Sequence, residues 1–230
     1  MTVTLYDLAG ADPRRRFSPN CWRTRMALAH KGLIVDAVPW RFTDKDAIAF
    51  SGQGAVPVIV DNGRTVVDSW EIAGYLETAY PDGPSLFGGD GAVAPLRFLA
   101  AWTDRVLHPS IIRMIIADIF AILHEKDRVY FRETREKRLG MTLEAVAADR
   151  EQRLPAFRQS LEPLRLVLSG TPYVGGTAPN YGDYLVFGAL QWARCVSPFR
   201  LIADDDPILA WRRRIGALYG GLADAVPAFD

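Results

Sequence analysis

Ser18-Pro19-Asn20-Cys21-Trp22-Arg23-Thr24-Arg25 is the stretch from which the rest of this chain is read. It follows a short apolar segment, Val3-Thr4-Leu5-Tyr6, and opens a helical pattern in which Trp22, Met26 and Ala29 fall on one face. Gly32 stands where that helix would end. Ser18 therefore lies at a helix N-terminus, where unpaired backbone N–H groups and the helix dipole favour a negative charge. A Cys-x-x-Cys motif uses such a position for a low-pKa thiolate. Here Ser18 takes the place of the first cysteine and only the second, Cys21, remains. The place suits a thiolate that the chain does not supply, so the sulfur is expected to arrive on a ligand.

Working outward, the first eighty-odd residues alternate between periods of two and 3.6. Val3–Tyr6 reads as a strand, Cys21–Lys31 as a helix and Ile34–Val38 as a second strand. Val56-Pro57-Val58-Ile59-Val60 and Thr65-Val66-Val67 are joined through Asp61-Asn62-Gly63, a strong hairpin signal. Ser69–Glu77 reads as a helix with Ile72, Tyr75 and Leu76 on one face. The order βαβ then ββα implies a mixed sheet covered by helices. Pro81-Asp82-Gly83-Pro84 and Gly88-Gly89-Asp90-Gly91 then break the pattern. Beyond them only helical patterns are expected: Pro95 to about Ile122, a charge-rich Arg128–Arg150, Leu154–Ser169, and Tyr184–Arg194 behind an Asn180-Tyr181-Gly182-Asp183 capping box.

Composition sets the class. The 230 residues are 49% apolar and 23% charged, enough for a full core. Lys plus Arg and Asp plus Glu both number 27, so no global field draws nucleic acid or an anionic membrane. The run Arg14-Arg15-Arg16 is read as a solvated loop, with anion collection near Ser18 as its alternative. Two cysteines, Cys21 and Cys195, make no disulfide framework and fit a reducing compartment. Met1 leads almost directly into the first strand, with no leader pattern, and the apolar run Met114–Leu123 is too short to span a bilayer. A cytoplasmic location is expected. No His/Cys/Asp/Glu spacing suggests a metal, and no glycine-rich loop suggests a phosphate.

Three motifs in this order resemble the glutathione transferase family along essentially the whole chain. Ser18-Pro19 with Arg23-Thr24-Arg25 is similar to the active-site motif of its Ser- and Cys-type classes. Val56-Pro57 is similar to the dipeptide whose proline is cis in that fold, and Asp68-Ser69 to the pair that holds the γ-glutamyl end of glutathione. The resemblance implies an α/β thioredoxin-like domain over residues 1–84, a linker over 85–94, and an all-α domain over 95–230 that lines the acceptor pocket. It implies glutathione as co-substrate, an aromatic electrophile as acceptor, and a homodimer. Trp22-Arg23-Thr24-Arg25-Met26-Ala27-Leu28-Ala29-His30-Lys31-Gly32, Asp68-Ser69-Trp70, Tyr80-Pro81-Asp82, Arg153-Leu154-Pro155 and Leu161-Glu162-Pro163 narrow it to the bacterial β-aryl-etherase branch, which cleaves lignin-derived ethers.

In that reading Ser18 donates a hydrogen bond to the glutathione thiolate, and Asn20 supplies a second one or stabilises the turn. A serine hydroxyl is too weak an acid to act as the base. Ser18 as a plain N-cap is the alternative. Cys21 reads as a packing residue; as the working thiol it would make the chain a thiol transferase. Val56 offers its backbone to the cysteinyl part of glutathione, positioned by Pro57. Asp68 and Ser69 hold the γ-glutamyl group, or simply cap a helix. Trp102, His108 and Met114 are candidates for the acceptor wall, as is Phe120, and each has core packing as its alternative. An isomerase of the maleylacetoacetate type, another glutathione transferase, and a carrier of hydrophobic ligands without turnover are the alternative functions.

Overall fold

The computed structural model describes residues 2–229; Met1 and Asp230, the end residues of the two expected domains, lie outside them. Strands β1 (Thr2–Leu8), β2 (Ile34–Trp40), β3 (Val58–Asp61) and β4 (Arg64–Val67) form a sheet in the order β2-β1-β3-β4. β1 runs parallel to β2 and antiparallel to β3, which is antiparallel to β4. Along β1 the expected alternation holds, with Val3 and Leu5 fully buried and Thr4 and Tyr6 half-buried between them. The β3–β4 hairpin turns through Asn62 and Gly63, at φ 49° and 79°. Both are left-handed, which is what a two-residue primed turn requires.

Helix α1 (Pro19–His30) makes the crossover from β1 to β2 and ends before Gly32, at φ 68°. Helix α2 (Ser69–Ala79) buries Ile72, Ala73 and Leu76, while Tyr75 donates its hydroxyl hydrogen to buried Asp61 at 2.8 Å. The register fixes where the connecting loops lie. Tyr6 pairs with Val58, and Val58 pairs with Val67. The end of β1, the start of β3 and the end of β4 therefore share one end of the sheet.

The helical half contains α3 (Asp90–Trp102), a π-type turn at Thr103–Leu107, and α4 (His108–Ile122). α3 starts at Asp90, inside the stretch expected to be a linker. Pro95 leaves the carbonyl of Gly91 without its helical donor, and Gly91 is exposed, so water can take that place. The expected Arg128–Arg150 helix is two pieces, α5 (Glu125–Leu139) and α6 (Leu143–Ala147). Gly140 turns left-handed at φ 68° between them, and Thr142 caps the second. Leu154–Ser169 likewise divides into α7 (Arg150–Ser160) and α8 (Glu162–Gly170), with Leu161 between them off helical backbone at ψ 0° and Pro163 in the first turn of α8.

Helix α9 (Tyr181–Val196) is the central element of this half, buried on every side except at Arg194. The expected capping box is present: Asn180 Oδ1 accepts from the Gly182 N–H at 2.8 Å and Asp183 Oδ2 from the Asn180 N–H at 3.1 Å. Asp183 does more than cap. It also accepts from the Val174 and Gly175 N–H groups and from Trp211 Nε1 of α10 (Pro207–Gly216), each within 2.9 Å. α9 lies directly on α1. A Cβ on Gly188 would sit 2.5 Å from the Pro19 carbonyl oxygen, so only glycine permits this approach. Beside it, Trp22 and Phe187 meet edge to face at 6.4 Å, both fully buried.

The Arg14–Arg16 run is not a solvated loop. Arg14 alone is free in solvent beyond its pair with Asp12. Arg15 donates to the Cys195 carbonyl and lies over the Phe229 ring. Arg16 is buried, donating to the carbonyls of Pro13, Asp7 and Ala37 beside the Asp7 carboxylate. Buried carbonyls need donors, and a guanidinium has five, which the sequence pattern does not reveal.

Candidate active site

Three segments meet at the sheet end defined above. Phe17 donates its N–H to the Leu8 carbonyl at 3.2 Å, which sets Ser18 beside the end of β1. Val56 precedes β3 by two residues, and its bond to Pro57 is cis. Asp68 and Ser69 directly follow β4. The N-termini of α1 and α2 thus lie at one end of one sheet, each presenting the positive end of its dipole there.

Ser18 is the N-cap of α1 and only 6% exposed. Its Oγ accepts from the Cys21 N–H at 3.2 Å. That bond uses a lone pair and leaves the hydroxyl hydrogen to donate elsewhere, so capping and thiolate binding are compatible rather than exclusive. Asn20 is half-buried, and its side-chain oxygen is buried with no hydrogen-bond partner among the described residues. Cys21 is fully buried, and burial together with nearby Asp7 pushes its thiol well above the usual value. It is inert packing, in keeping with its sequence reading.

At α2, exposed Asp68 adopts a left-handed backbone, φ 68°, and its Oδ1 accepts from the N–H groups of Trp70 and Glu71 at 2.8 and 3.2 Å. The cap occupies one carboxylate oxygen and leaves the other for a ligand. Ser69 is 5% exposed, and its carbonyl accepts from the Tyr181 hydroxyl of α9 at 2.6 Å. Next to it Arg97 lies over the Trp70 ring at 4.0 Å. No sequence signal pointed to Tyr181 or Arg97, because both reach the site from another part of the chain.

The acceptor-wall candidates separate. Trp102 is half-buried at the end of α3. Met114 is 1% exposed and lies in the core, which offers a ligand no surface in this conformation. His108 is packed edge-on against Trp192 and faces Asp104, which accepts from Arg23 Nη2 at 2.6 Å. Burial, reinforced by the Arg23 charge, lowers the His108 pKa to about 4, so its ring is neutral at physiological pH. Phe120 is covered by the Arg132 guanidinium at 4.4 Å. A cavity of about 440 Å³ lies instead between α9, α10 and the 197–202 loop, and none of the candidate residues lines it. Among the described residues no His/Cys/Asp/Glu group could hold a metal. No described helix is long and apolar enough to cross a membrane.

Two family models match this arrangement: the glutathione S-transferase N-terminal domain over residues 17–79 and its C-terminal domain over residues 96–201. The chain belongs to the glutathione S-transferase family. This transferase is 27% identical over 215 residues to a probable glutathione S-transferase, GSTU6, of Oryza sativa subsp. japonica, covering 87% of this chain and 81% of that one. It is 38% identical over 80 residues to a probable glutathione transferase of Aplysia californica, covering 34% of this chain and 86% of that one. Its fold matches crystal structures of two fungal transferases. GSTFuA3 of Phanerochaete chrysosporium has TM-score 0.79 and 25% identity, with 95% and 97% of the two chains covered. CsGST63524 of Ceriporiopsis subvermispora, solved in complex with glutathione, has TM-score 0.77 and 25% identity, with 98% of each chain covered.

Proposed function

We propose that this transferase joins glutathione to an aromatic electrophile, and that its preferred reaction is cleavage of a β-aryl ether. The observation that carries the reading is the convergence of two helix N-termini, Ser18 and Asp68-Ser69, at the sheet end beside Val56. Glutathione has a thiol at its centre and an α-amino acid at its γ-glutamyl end. The α1 N-terminus suits the first as a thiolate, and the α2 N-terminus suits the carboxylate of the second, with Asp68 facing its ammonium. Val56 lies beyond the last β1–β3 rung, so its backbone can pair with the cysteinyl residue as an added strand would. The glutathione bound in the Ceriporiopsis relative supports the same ligand here.

In the reaction the thiol proton leaves to solvent and Ser18 holds the thiolate by donating its hydroxyl hydrogen, with Asn20 beside it. The sulfur attacks the carbon bearing the aryloxy group, forming C–S as C–O breaks. The leaving phenolate takes a proton from water. A phenolate leaves readily, so modest hydrogen-bonding help suffices and no strong acid is required. We place glutathione binding in residues 1–84, joined through 85–94 to an acceptor-binding unit in 95–230, with Trp102 and His108 on its acceptor side. Two copies form a homodimer in the cytoplasm, for which exposed Phe50 and Phe98 supply apolar surface.

The test is phenol release from a β-aryl ether model compound, with and without glutathione, by the wild type and Ser18→Ala. Glutathione-dependent release that the variant loses supports the reading. No release from a sample that binds glutathione removes ether cleavage and leaves other aromatic electrophiles as acceptors.

A further inference from the structure

Tyr181 is remote in sequence from Ser18, Val56 and Asp68-Ser69, yet it touches the proposed glutathione site. It is the first residue of α9, fixed by the Asn180–Asp183 capping box, and it is fully buried. Its N–H donates to the Leu86 carbonyl at 2.8 Å, and its hydroxyl donates to the Ser69 carbonyl at 2.6 Å, across 112 residues of chain. The ring is held edge-on by Trp70 and by Phe87, both at 5.7 Å, and those two stack on each other at 5.3 Å. Burial pushes the phenol pKa far up, so the hydroxyl keeps its proton and remains a donor.

The Ser69 carbonyl belongs to the first residue of α2. A carbonyl there has two lone pairs, and the helix uses one. The second, buried, takes the Tyr181 hydroxyl. The first turn of α2 is therefore pinned to the helical half of the molecule at the peptide that carries Ser69. Asp68 and Ser69, which open this turn, are the residues assigned to the γ-glutamyl end.

We propose that Tyr181 is a positioning residue for glutathione: its hydroxyl, delivered by α9, holds the Ser69 peptide and so sets the α2 N-terminus at the distance the γ-glutamyl carboxylate needs. This inference rests on the reading of that N-terminus as a glutathione subsite. It makes the helical half a contributor to glutathione affinity.

The test is Tyr181→Phe in the full-length chain, which removes one oxygen and keeps the ring. Glutathione Kd by calorimetry and steady-state kinetics are measured alongside the thermal midpoint. The expected result is a Kd and a KM for glutathione raised about fivefold, the scale of one buried hydrogen bond, with kcat at saturation unchanged. Phe87→Leu separates positioning from packing. It thins the ring cluster but keeps the hydroxyl, so it is expected to lower the midpoint and leave Kd in place. An unchanged Kd in Tyr181→Phe overturns the proposal, as does a fall in kcat with KM unmoved, or a Kd shift in Phe87→Leu equal to that of Tyr181→Phe. Ser69→Ala tests the underlying reading separately. If it weakens glutathione binding and Tyr181→Phe does not, only the role of Tyr181 fails. If Ser69→Ala leaves Kd unchanged, the subsite falls and this inference with it.

Discussion

Ser18→Ala separates the thiolate-holding role proposed for this hydroxyl from the helix cap it forms. A free thiol of pKa about 8.5 is roughly 3% ionised at pH 7. A hydrogen bond to a charged group contributes about 2 kcal/mol, or about 1.5 units of pKa at 1.36 kcal/mol per unit. On the proposed reading, glutathione held by Ser18 is expected to titrate near 7, about half of it thiolate at neutral pH, a gain of roughly fifteenfold over the free thiol. Ser18→Ala is expected to lower the rate at pH 7 by at least about tenfold, while glutathione still binds through the α2 end. Its kcat profile at saturating glutathione rises about 1.5 units later, so the variant recovers in alkaline buffer. The second job is the cap on the Cys21 N–H. Its loss costs about 1 kcal/mol of stability, read as a lower urea midpoint. The two effects are measured on the same preparation. A lower midpoint with an unmoved pH profile and unchanged turnover would show that Ser18 only caps a helix, and would refute the thiolate argument.

Other outcomes follow from particular contacts. Ser69→Ala is expected to raise the glutathione Kd several-fold while chemistry at saturation is slowed less; a purely catalytic defect would contradict the placement of the γ-glutamyl group. Gly188→Ala forces a methyl group to within 2.5 Å of the Pro19 carbonyl, so α1 and α9 must part. We expect a loss of about 1–3 kcal/mol in urea unfolding together with slower turnover, since the displaced segment carries Ser18; an unaltered midpoint would mean that the interface yields freely. Half-buried His108 keeps its proton only below a pKa of about 4, whereas an unfolded imidazole binds one below about 6.5. The unfolded chain therefore binds more protons between those values, and stability falls as pH drops through that window. His30, whose pKa burial also lowers, adds to the same slope. In His108→Gln the slope should flatten, and unfolding free energies measured from pH 7 to pH 4 with no difference from wild type would exclude His108 as its source.

The segments that read most clearly in the sequence are those whose signal is local. Asn62-Gly63 dictates a primed turn because both residues tolerate positive φ, and the hairpin follows. Ser18, Asp68 and Asn180 announce helix starts because each side chain accepts from N–H groups two or three residues ahead. The helices that were read too long, Arg128–Arg150 and Leu154–Ser169, fail for a related reason. Periodicity persists across Gly140 and Leu161, and the left-handed backbone at the first and the non-helical ψ of 0° at the second divide them.

From sequence alone, then, came the βαβ–ββα order, the helix caps at Ser18 and Asp68, and the absence of a protein thiolate at position 18, since each depends on neighbours within one turn. The tertiary structure alone decided what lies beside them. Strand register brought Ser18, Val56 and Ser69 to one sheet end. Packing buried Arg16 against three carbonyls, drew Met114 into the core, set Gly188 on Pro19 and carried the Tyr181 hydroxyl to Ser69. Those relations join residues up to 169 positions apart, Pro19 to Gly188. They arise from the need to fill a core and satisfy every buried polar group at once, a condition on the whole chain that no window of it expresses.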